Sequence, residues 1–450
     1  MQRSILYWLL LACPAIVLAA PDANSKQAPL KLTQAQILEK LRALGAGIWM
    51  KNHKGEVIEV KPDTLIAGEK LTFSRVEFRA EISDGKPLAA ADYAILDSLT
   101  DLPELSLSGE QVDDAVVERL RPFRALTYLV LDQAKITAPS YNVLPTLPEL
   151  HELYLSGTGA SDAAFQTIVQ CRKLKNLHLV NLPISDAGLA SLGKLTALEE
   201  LELNELDQLG SPGFAHLADC HALKTIYVGG FTILSGMVEN IARCKNLENV
   251  TLPGTVLKDA DIASLSALTK LRTLNLEGSS VTGTAFATWP MRLFMTSLNL
   301  DKAAGMDDAI LKNIARAFPK LEELNVTIAP TGFTVAGASA IAKLHGLHTL
   351  RIAGAGVTDE IAVQLAHCDG LTTLAIPAAQ LSDKGITAFT KVPHLEELGI
   401  DLPPITDAAL KALSRCKEIK TINIGKNAPP ETEPKLRQAL PIVVVNRPTE

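Results

Sequence analysis

The stretch of sequence that decides the fold is LKNLHLVNLPISDAGLASLGKLTA, residues 174–197. Its first six residues follow the pattern L-x-x-L-x-L, with Leu174, Leu177 and Leu179 spaced for a short strand whose leucines point inward. Ser185 then stands where a helix N-cap belongs, and Asp186 follows it in the first turn. The leucines of LASLGKL continue at helical spacing. The stretch therefore predicts a strand, a turn, a short helix and a second turn.

This unit recurs along most of the chain. The pattern begins fourteen times, at intervals of 24 to 26 residues. The starts are Leu102, Leu126, Leu150, Leu174, Leu198, Leu223, Leu247, Leu271, Met295, Leu321, Leu347, Leu371, Leu395 and Ile419. A short strand and a short helix cannot bury their apolar faces alone, so stacked units must share one core. We expect an α/β solenoid, right-handed and curved like a horseshoe, with about fifteen parallel strands inside and short helices outside.

These repeats resemble the leucine-rich repeat family, in the helix-bearing variety typified by ribonuclease inhibitor, over roughly residues 71–445. The family serves mostly as a recognition scaffold, so the resemblance implies a specific fold and only a general binding role. The ninth position of the unit, often asparagine in the family, is asparagine here only at Asn427. The turns are therefore expected to satisfy their amides through Thr, Ser or backbone groups.

The chain begins like an exported protein of bacterial type. Arg3 precedes an apolar run and a cluster of small residues, which predicts a signal peptide and a periplasmic or extracellular location. Alternatively, LLAC at residues 10–13 is a lipoprotein box that would leave a lipidated Cys13. No later segment is long and apolar enough to span a membrane. The expected organisation is a signal peptide at 1–19, a disordered tether at 20–32, an N-terminal cap (helix, hairpin and atypical first repeat) at 33–100, leucine-rich repeats at 101–428 and a C-terminal cap at 429–450. The C-terminal cap is expected to hold one last helix and a strand, Ile442 to Val445.

Five cysteines share one slot, three residues before a repeat begins, where other units carry mostly Leu, Phe or Val. They are Cys171, Cys220, Cys244, Cys368 and Cys416. Because free cysteine behaves as a small hydrophobe, we expect structural, buried thiols. Only Cys220 and Cys244 lie in adjacent repeats, and their side chains should run parallel, which favours a ladder of thiols over a disulfide. The slot also resembles the cysteine-containing subclass of the family, in which a cysteine occupies the helix-to-strand turn.

The sequence carries no catalytic or metal-binding motif. HLADCHAL offers His216, Cys220 and His221, and AHCDGL offers His367 and Cys368, but a buried thiol beside turn histidines explains both without zinc. Walker, G-x-S-x-G and H-E-x-x-H patterns are missing from the sequence. A solenoid without inserted loops also offers no closed pocket that would shift carboxylate pKa values. We expect no enzyme activity, no cofactor and no bound metal.

Charge is distributed unevenly over the predicted surface. The net charge is -7 and the chain has no run rich in Lys or Arg, which disfavours nucleic acid as a partner. The third, fifth and seventh residues of each unit should point away from the core, on the concave face of the sheet. Ten of them are acidic and one, Arg351, is basic, compared with 50 acidic and 43 basic residues in the whole chain. The predicted concave face is therefore acidic.

Two groups of residues on this face are candidate partner-binding sites. The first consists of Tyr128, Glu152, Tyr154, His178, Glu200, Glu202 and Tyr227. The second is the row of Asn275, Asn299 and Asn325, flanked by Glu277 and Asp301. Tyrosines among carboxylates suit a basic or aromatic-rich partner. Ordinary β-propensity, or an amide ladder that stiffens the sheet, would explain the same residues without a partner.

These patterns predict a monomeric, non-catalytic scaffold that binds a positively charged protein or peptide. The alternative is a structural or envelope-organising repeat protein in which the sheet only spaces other components. The unit most expected to be irregular contains FATWPMRLFM, residues 286–295, because Pro290 interrupts the helix and Arg292 occupies the apolar slot.

Overall fold

The structure is a computed structural model that describes residues 32–447 except 62–70, 80–87, 231, 233–235, 330, 355, 378–380, 402–404 and 426–427. The predicted signal peptide, Cys13, all of the predicted tether except Leu32, and Asn427 lie outside the described residues. None of the helices in the described ranges is long and apolar enough to cross a bilayer.

The strands join into one 18-stranded sheet. In chain order they are β1 Gly47–Lys51, β2 Val57–Glu59, β3 Thr72–Phe78, β4 Glu104–Ser108, β5 Tyr128–Asp132, β6 Glu152–Ser156, β7 Asn176–Val180, β8 Glu200–Asn204, β9 Thr225–Gly229, β10 Asn249–Thr251, β11 Thr273–Asn275, β12 Ser297–Leu300, β13 Glu323–Thr327, β14 Thr349–Ala353, β15 Thr373–Ile376, β16 Glu397–Ile400, β17 Thr421–Ile424 and β18 Val444–Asn446. β1 pairs antiparallel with β2 and β3, whereas every neighbouring pair from β3 to β18 is parallel. The predicted parallel sheet is therefore confirmed, with β18 beginning at Val444 rather than at the predicted Ile442. The Val443 amide still donates to Leu440 O (3.1 Å) in a turn, so the strand cannot begin earlier.

Helices occupy the other layer of each unit. They are α1 Gln34–Ala43, α2 Asp114–Glu118, α3 Asp162–Ile168, α4 Asp186–Ser191, α5 Ser211–Phe214, α6 Met237–Ile241, α7 Asp259–Leu265, α8 Asp308–Ala317, α9 Val335–Ile341, α10 Asp359–Leu365, α11 Asp383–Phe389, α12 Asp407–Leu413 and α13 Thr432–Ala439. Short 3₁₀ helices supplement or replace them at Asp92–Ser98, Ala138–Thr146, Leu192–Lys194, Ala215–Asp219 and Thr284–Ala287. Ala138–Thr146 contains Pro145, whose missing N–H is incompatible with a regular α-helix.

The core lies between the strand layer and the helix layer. Equivalent leucines of successive units stand side by side in the sheet, as Leu153, Leu177 and Leu201 do. All three have no exposed surface. The same alternation turns the intervening residues of β6 and β8 to the opposite, partly exposed face. The period of two read from the sequence thus separates core from concave face.

Backbone hydrogen bonds between neighbouring units close the turns after the strands. The eighth residue of many units has a positive φ, as at Gly157 (57°) and Asn181 (49°). The Gly157 N–H donates to Val180 O (3.0 Å), and the Asn181 N–H donates to Asn204 O (3.0 Å). Backbone carbonyl groups of the next unit therefore satisfy the turn amides, in place of the asparagine that the family often carries at the ninth position.

A second ladder joins the starts of the helices. Asp162, in the first turn of α3, accepts from the backbone N–H (2.8 Å) and the hydroxyl (2.5 Å) of Ser185 in the next unit. Asp359 of α10 accepts from the N–H groups of Ser382 (2.9 Å) and Gly385 (3.1 Å) in the same way. Each of these helix starts is thereby tied to the following one, a link that the sequence pattern did not predict.

The predicted irregular unit is confirmed. Only the 3₁₀ turn Thr284–Ala287 forms before Pro290. Trp289 fills the core there, with its ring 5.6 Å from Phe286 and 5.3 Å from Phe318 between centroids. The residues just after Pro290 leave three large apolar side chains more than half exposed: Met291, Leu293 and Phe294.

Candidate functional site

The register of the sheet brings the first candidate group together in two rows on the concave face. The third residues of consecutive units pair in the order Tyr128, Glu152, Asn176, Glu200 on β5 to β8. The fifth residues pair in the order Tyr154, His178, Glu202, Tyr227 on β6 to β9. Side chains that are 24 or more residues apart in sequence therefore become neighbours one strand apart.

Aromatic stacking defines the centre of this group. The rings of Tyr154 and His178 are parallel within 1°, with centroids 3.8 Å apart. Tyr128 is tilted by 51° against Tyr154 at 5.5 Å. We call Tyr128, Tyr154, His178, Glu152 and Glu202 the Tyr–His cluster. Such contacts restrict how the rings are oriented relative to one another and contribute beyond simple area burial.

His178 is the most buried member, with 8% of its side chain exposed. Its Nδ1 lies 2.8 Å from Glu202 Oε2. Because an ionised carboxylate can only accept, Nδ1–H is the donor. The other ring nitrogen, Nε2, is buried without a hydrogen-bond partner among the described residues, and it lies 4.0 Å from Glu152 Oε1. A buried polar atom in this state is rare in folded proteins, so Nε2 is an unfilled hydrogen-bonding position facing Glu152.

The tyrosines remain neutral hydroxyl groups at ordinary pH. Burial, reinforced by a hydrogen bond to Glu152, raises the pKa of Tyr154 far above its usual range. Burial also raises the pKa of Tyr227. Tyr227 itself lies over Gly229 of its own strand, where a Cβ would come within 2.9 Å of its hydroxyl oxygen. The structure thus unites six of the seven predicted residues and sets Tyr227 at the edge.

The carboxylates of the cluster lack the cationic partners that neighbouring rows possess. At the second position of the units, Glu199 is bridged by Lys175 (2.9 Å) and Lys224 (2.6 Å). Hydrogen bonds from Lys224 and then Lys175 lower the Glu199 pKa to about 2. By contrast, no Lys or Arg of the described ranges lies within 4.0 Å of the carboxylates of Glu152, Glu200 and Glu202. Negative charge therefore accumulates around His178.

The concave face extends into the N-terminal cap, which the sequence pattern did not reveal. Trp49 of β1 pairs with Arg75 of β3. The guanidinium carbon of Arg75 lies 5.1 Å from the Trp49 ring centroid and 5.3 Å from that of Tyr128. In the sequence, the alternation of Trp49 with the apolar Ile48 and Met50 could have indicated that Trp49 faces away from the core, since Ile48 and Met50 are buried. Because this segment precedes the regular repeats, its register could not be read from their pattern.

The second candidate group has partners within the chain. Asn275 and Asn299 are adjacent in one row, and their side-chain oxygens accept from the N–H groups of Glu277 and Asp301 (2.9 Å each). Glu277 pairs with Lys302 (2.6 Å), and Asp301 pairs with Arg351 (3.3 Å). Asn325 lies beside Asn299 in the same row. These bonds terminate strands and balance charge, so this row offers fewer free groups to a partner than the Tyr–His cluster.

The cysteines lie along the helix-to-strand turns as free thiols. Four are buried, whereas Cys416 near the last repeat is only partly buried. Cys220 Sγ donates to Leu192 O (3.2 Å), and burial raises its pKa to about 12. Within the described residues, no group of three or more His, Cys, Asp or Glu side chains could hold a metal ion.

No protein-family model matches the sequence. No curated protein matches it either. Solved structures do resemble it in shape. A leucine-rich repeat protein of Leptospira interrogans superposes with a TM-score of 0.50 at 16% identity, covering 78% of this chain and 91% of that one. An internalin of Listeria monocytogenes gives a TM-score of 0.46 at 18% identity, over 79% and 91% of the two chains. The Toll–Spatzle complex of Drosophila gives 0.45 at 14% identity, over 79% of this chain and 53% of that one.

The Leptospira likeness and the strand register together define the class: the fold is a leucine-rich-repeat solenoid, with a parallel sheet on one side and short helices on the other. At these identities the comparison describes architecture alone.

Proposed function

We propose that this protein is an exported, monomeric recognition scaffold of bacterial type, without catalytic activity, that binds a positively charged protein or peptide on its acidic concave face. One observation carries the proposal. Glu152 and Glu202 flank the buried His178, Glu200 lies in the neighbouring row, and none of the three has a Lys or Arg partner among the described residues. A cationic side chain from a partner would supply the missing counter-charge to these carboxylates.

The composition of the surface fits such a partner. Tyrosine presents a large, rigid face at a small entropic cost, which makes it common among residues that dominate binding energy. Lysine and arginine are attracted to aromatic rings as well as to carboxylates. Unpaired carboxylates on a concave surface also raise the association rate of a basic partner, an effect that salt screens.

The test measures binding of fluorescent lysine- and arginine-rich peptides by anisotropy at low and high concentrations of NaCl. Replacing Tyr154 and Tyr227 with Ala should weaken binding by about 2 kcal/mol, roughly thirtyfold. Replacing Glu200 and Glu202 with Gln should slow association and flatten the salt dependence.

Lys194→Ala and Lys411→Ala, on the helix side, are the matched controls and should change little. If these two changes abolish binding while the concave ones leave it intact, the wrong surface has been chosen. A chain that binds no basic peptide at either salt concentration would favour the alternative of a structural, envelope-organising protein.

A further inference from the structure

The glutamates of the third-position row are separated by a fixed distance. Glu152 on β6 and Glu200 on β8 are both adjacent to Asn176 on β7. Neighbouring strands lie about 4.8 Å apart, so the backbone positions that carry the two carboxylates stand about 9.6 Å apart along a line that crosses the strands. The inward curvature expected of a sheet lined by wider helices brings side-chain tips somewhat closer than this. A ligand that engages both must present two cations at nearly this spacing.

The row already contains a cation of the chain itself at its N-terminal end. Arg75 pairs with Glu104 of β4, and Glu104 in turn pairs with Tyr128. The Arg75 guanidinium reaches across β4 to the Tyr128 ring, at 5.3 Å. This contact shows that a guanidinium fits over the aromatic residues of the row. The next carboxylate positions, at Glu152 and Glu200, have no such group from the described chain.

Only one regular peptide conformation repeats its side chains at this interval on a single face. In a polyproline II helix every third residue points the same way, after a rise of about 9.3 Å. An extended strand repeats a face every two residues, at about 6.8 Å. An α-helix repeats a face after about 5.4 Å, or after about 10.8 Å for two turns. The longer repeat exceeds the spacing between the Glu152 and Glu200 positions, and the curvature of the sheet shortens that spacing further.

The residues between the glutamates suit the same conformation. Polyproline II has no internal hydrogen bonds, so its carbonyl groups need outside donors. Asn176 stands midway between the two glutamates, and its side-chain amide can donate. The partly exposed Tyr154 lies beside it in the neighbouring row, with one ring face stacked on the buried His178. Aromatic surfaces of this kind pack against proline rings in many recognition grooves.

We infer that the Tyr–His cluster, with Asn176 and Glu200, binds a polyproline II segment that carries two basic residues separated by two prolines. The segment runs across β6, β7 and β8, with one cation at Glu152 beside His178 Nε2 and the other at Glu200. This inference rests on the proposed function and specifies the partner that the acidic face selects.

Four labelled peptides of equal charge test the spacing, each with two arginines: Arg-Pro-Pro-Arg, Arg-Pro-Arg, Arg-Pro-Pro-Pro-Arg and Arg-Gly-Gly-Arg, flanked by identical neutral residues. Affinity is measured by anisotropy with the full chain. Arg-Pro-Pro-Arg should bind at least tenfold more tightly than the other three. Glu200→Gln should remove that preference. Glu323→Gln, in the same row but far along the sheet, is the control and should preserve it.

Each other result overturns the inference in a recognisable way. Equal affinity for all four peptides, weakened alike by Glu200→Gln, would leave a charge-selective surface and refute the polyproline II register. Tighter binding of an alanine-rich helix with arginines seven residues apart would assign the row to a helical partner. Binding of longer basic peptides without any binding of these four would likewise refute the inference while sparing the proposed function.

Discussion

Replacing Asp308 with alanine should destabilise the solenoid far more than the same change at Asp407. Both aspartates occupy the first turn of their helices, α8 and α12. Asp308 Oδ1 accepts from the N–H groups of Thr334 (2.8 Å) and Gly337 (2.9 Å) in the next unit, and Oδ2 accepts from the Thr334 hydroxyl (2.6 Å). Asp407 accepts no hydrogen bond from a following unit in the described part of the chain.

The expected magnitude follows from these contacts. A hydrogen bond to a charged group contributes about 1.5 to 3 kcal/mol net to stability. The two bonds between Asp308 and Thr334 should contribute well below that range, because the contact is partly exposed and solvent screens the charge. The three bonds together should be worth about 3 kcal/mol. Loss of favourable charge at the helix N-terminus, about 0.3 to 1 kcal/mol, affects both variants equally. Asp407→Ala should therefore cost less than about 1 kcal/mol.

Guanidinium unfolding monitored by circular dichroism measures the total effect, and hydrogen exchange by mass spectrometry localises it. Exchange is needed because stacked repeats can open in separate segments. In Asp308→Ala, the amides of residues 331–341 should exchange faster, whereas Asp308→Asn should retain part of the protection because its amide can still accept and donate. If Asp308→Ala and Asp407→Ala lose the same stability, the ladder between helix starts contributes nothing.

Two further predictions concern acid and thiols. Hydrogen bonds from Ser140 and Thr137 hold the pKa of Asp114 below its usual value. The stability that ionised Asp114 confers should therefore be present above about pH 4 and be lost as the pH falls further. The difference in unfolding free energy between the native chain and Asp114→Asn should shrink from about pH 7 to about pH 3, and an unchanged difference would exclude this linkage. Burial raises the pKa of the Cys244 thiol to about 12. We expect all five slot cysteines to react with a thiol reagent after denaturation of the unreduced protein, and reaction of only three would reveal a closed pair. Cys244→Ser should cost about 1 to 3 kcal/mol of stability through buried polarity, without altering peptide binding.

Much of the architecture could be predicted because its cause is local and repeated. The spacing of Leu174, Leu177 and Leu179 specifies which side of a strand is apolar. Because the unit recurs every 24 to 26 residues, neighbouring units can bury that side by stacking on one another. The irregular unit at Pro290 was predictable for a similar reason, since proline lacks the N–H that a helix needs. Predictions at the chain ends were less precise, as the start of β18 shows, because the final strand lies outside the regular repeat.

The candidate site was predictable only in outline. Strand alternation is enough to place Tyr154, His178 and Glu202 on the concave face. It does not say that His178 stacks on Tyr154 at 3.8 Å, or that its Nε2 stays without a partner among the described residues. Those properties depend on side-chain torsions that neighbours select after the units have stacked.

The sequence by itself determined the repeat, the identity of the buried leucines and the excess of acid on one face, because each is a periodic property of a short segment. The tertiary structure alone decided which groups meet between units. Lys302 adopts a positive φ of 56°, and Arg75 reaches Tyr128 across an intervening strand. Neither follows from local preference, since lysine disfavours that conformation and Arg75 lies more than 50 residues from Tyr128. Stacking supplies the physical reason: it brings distant residues within about 5 Å and lets interactions between units override the preference of each residue.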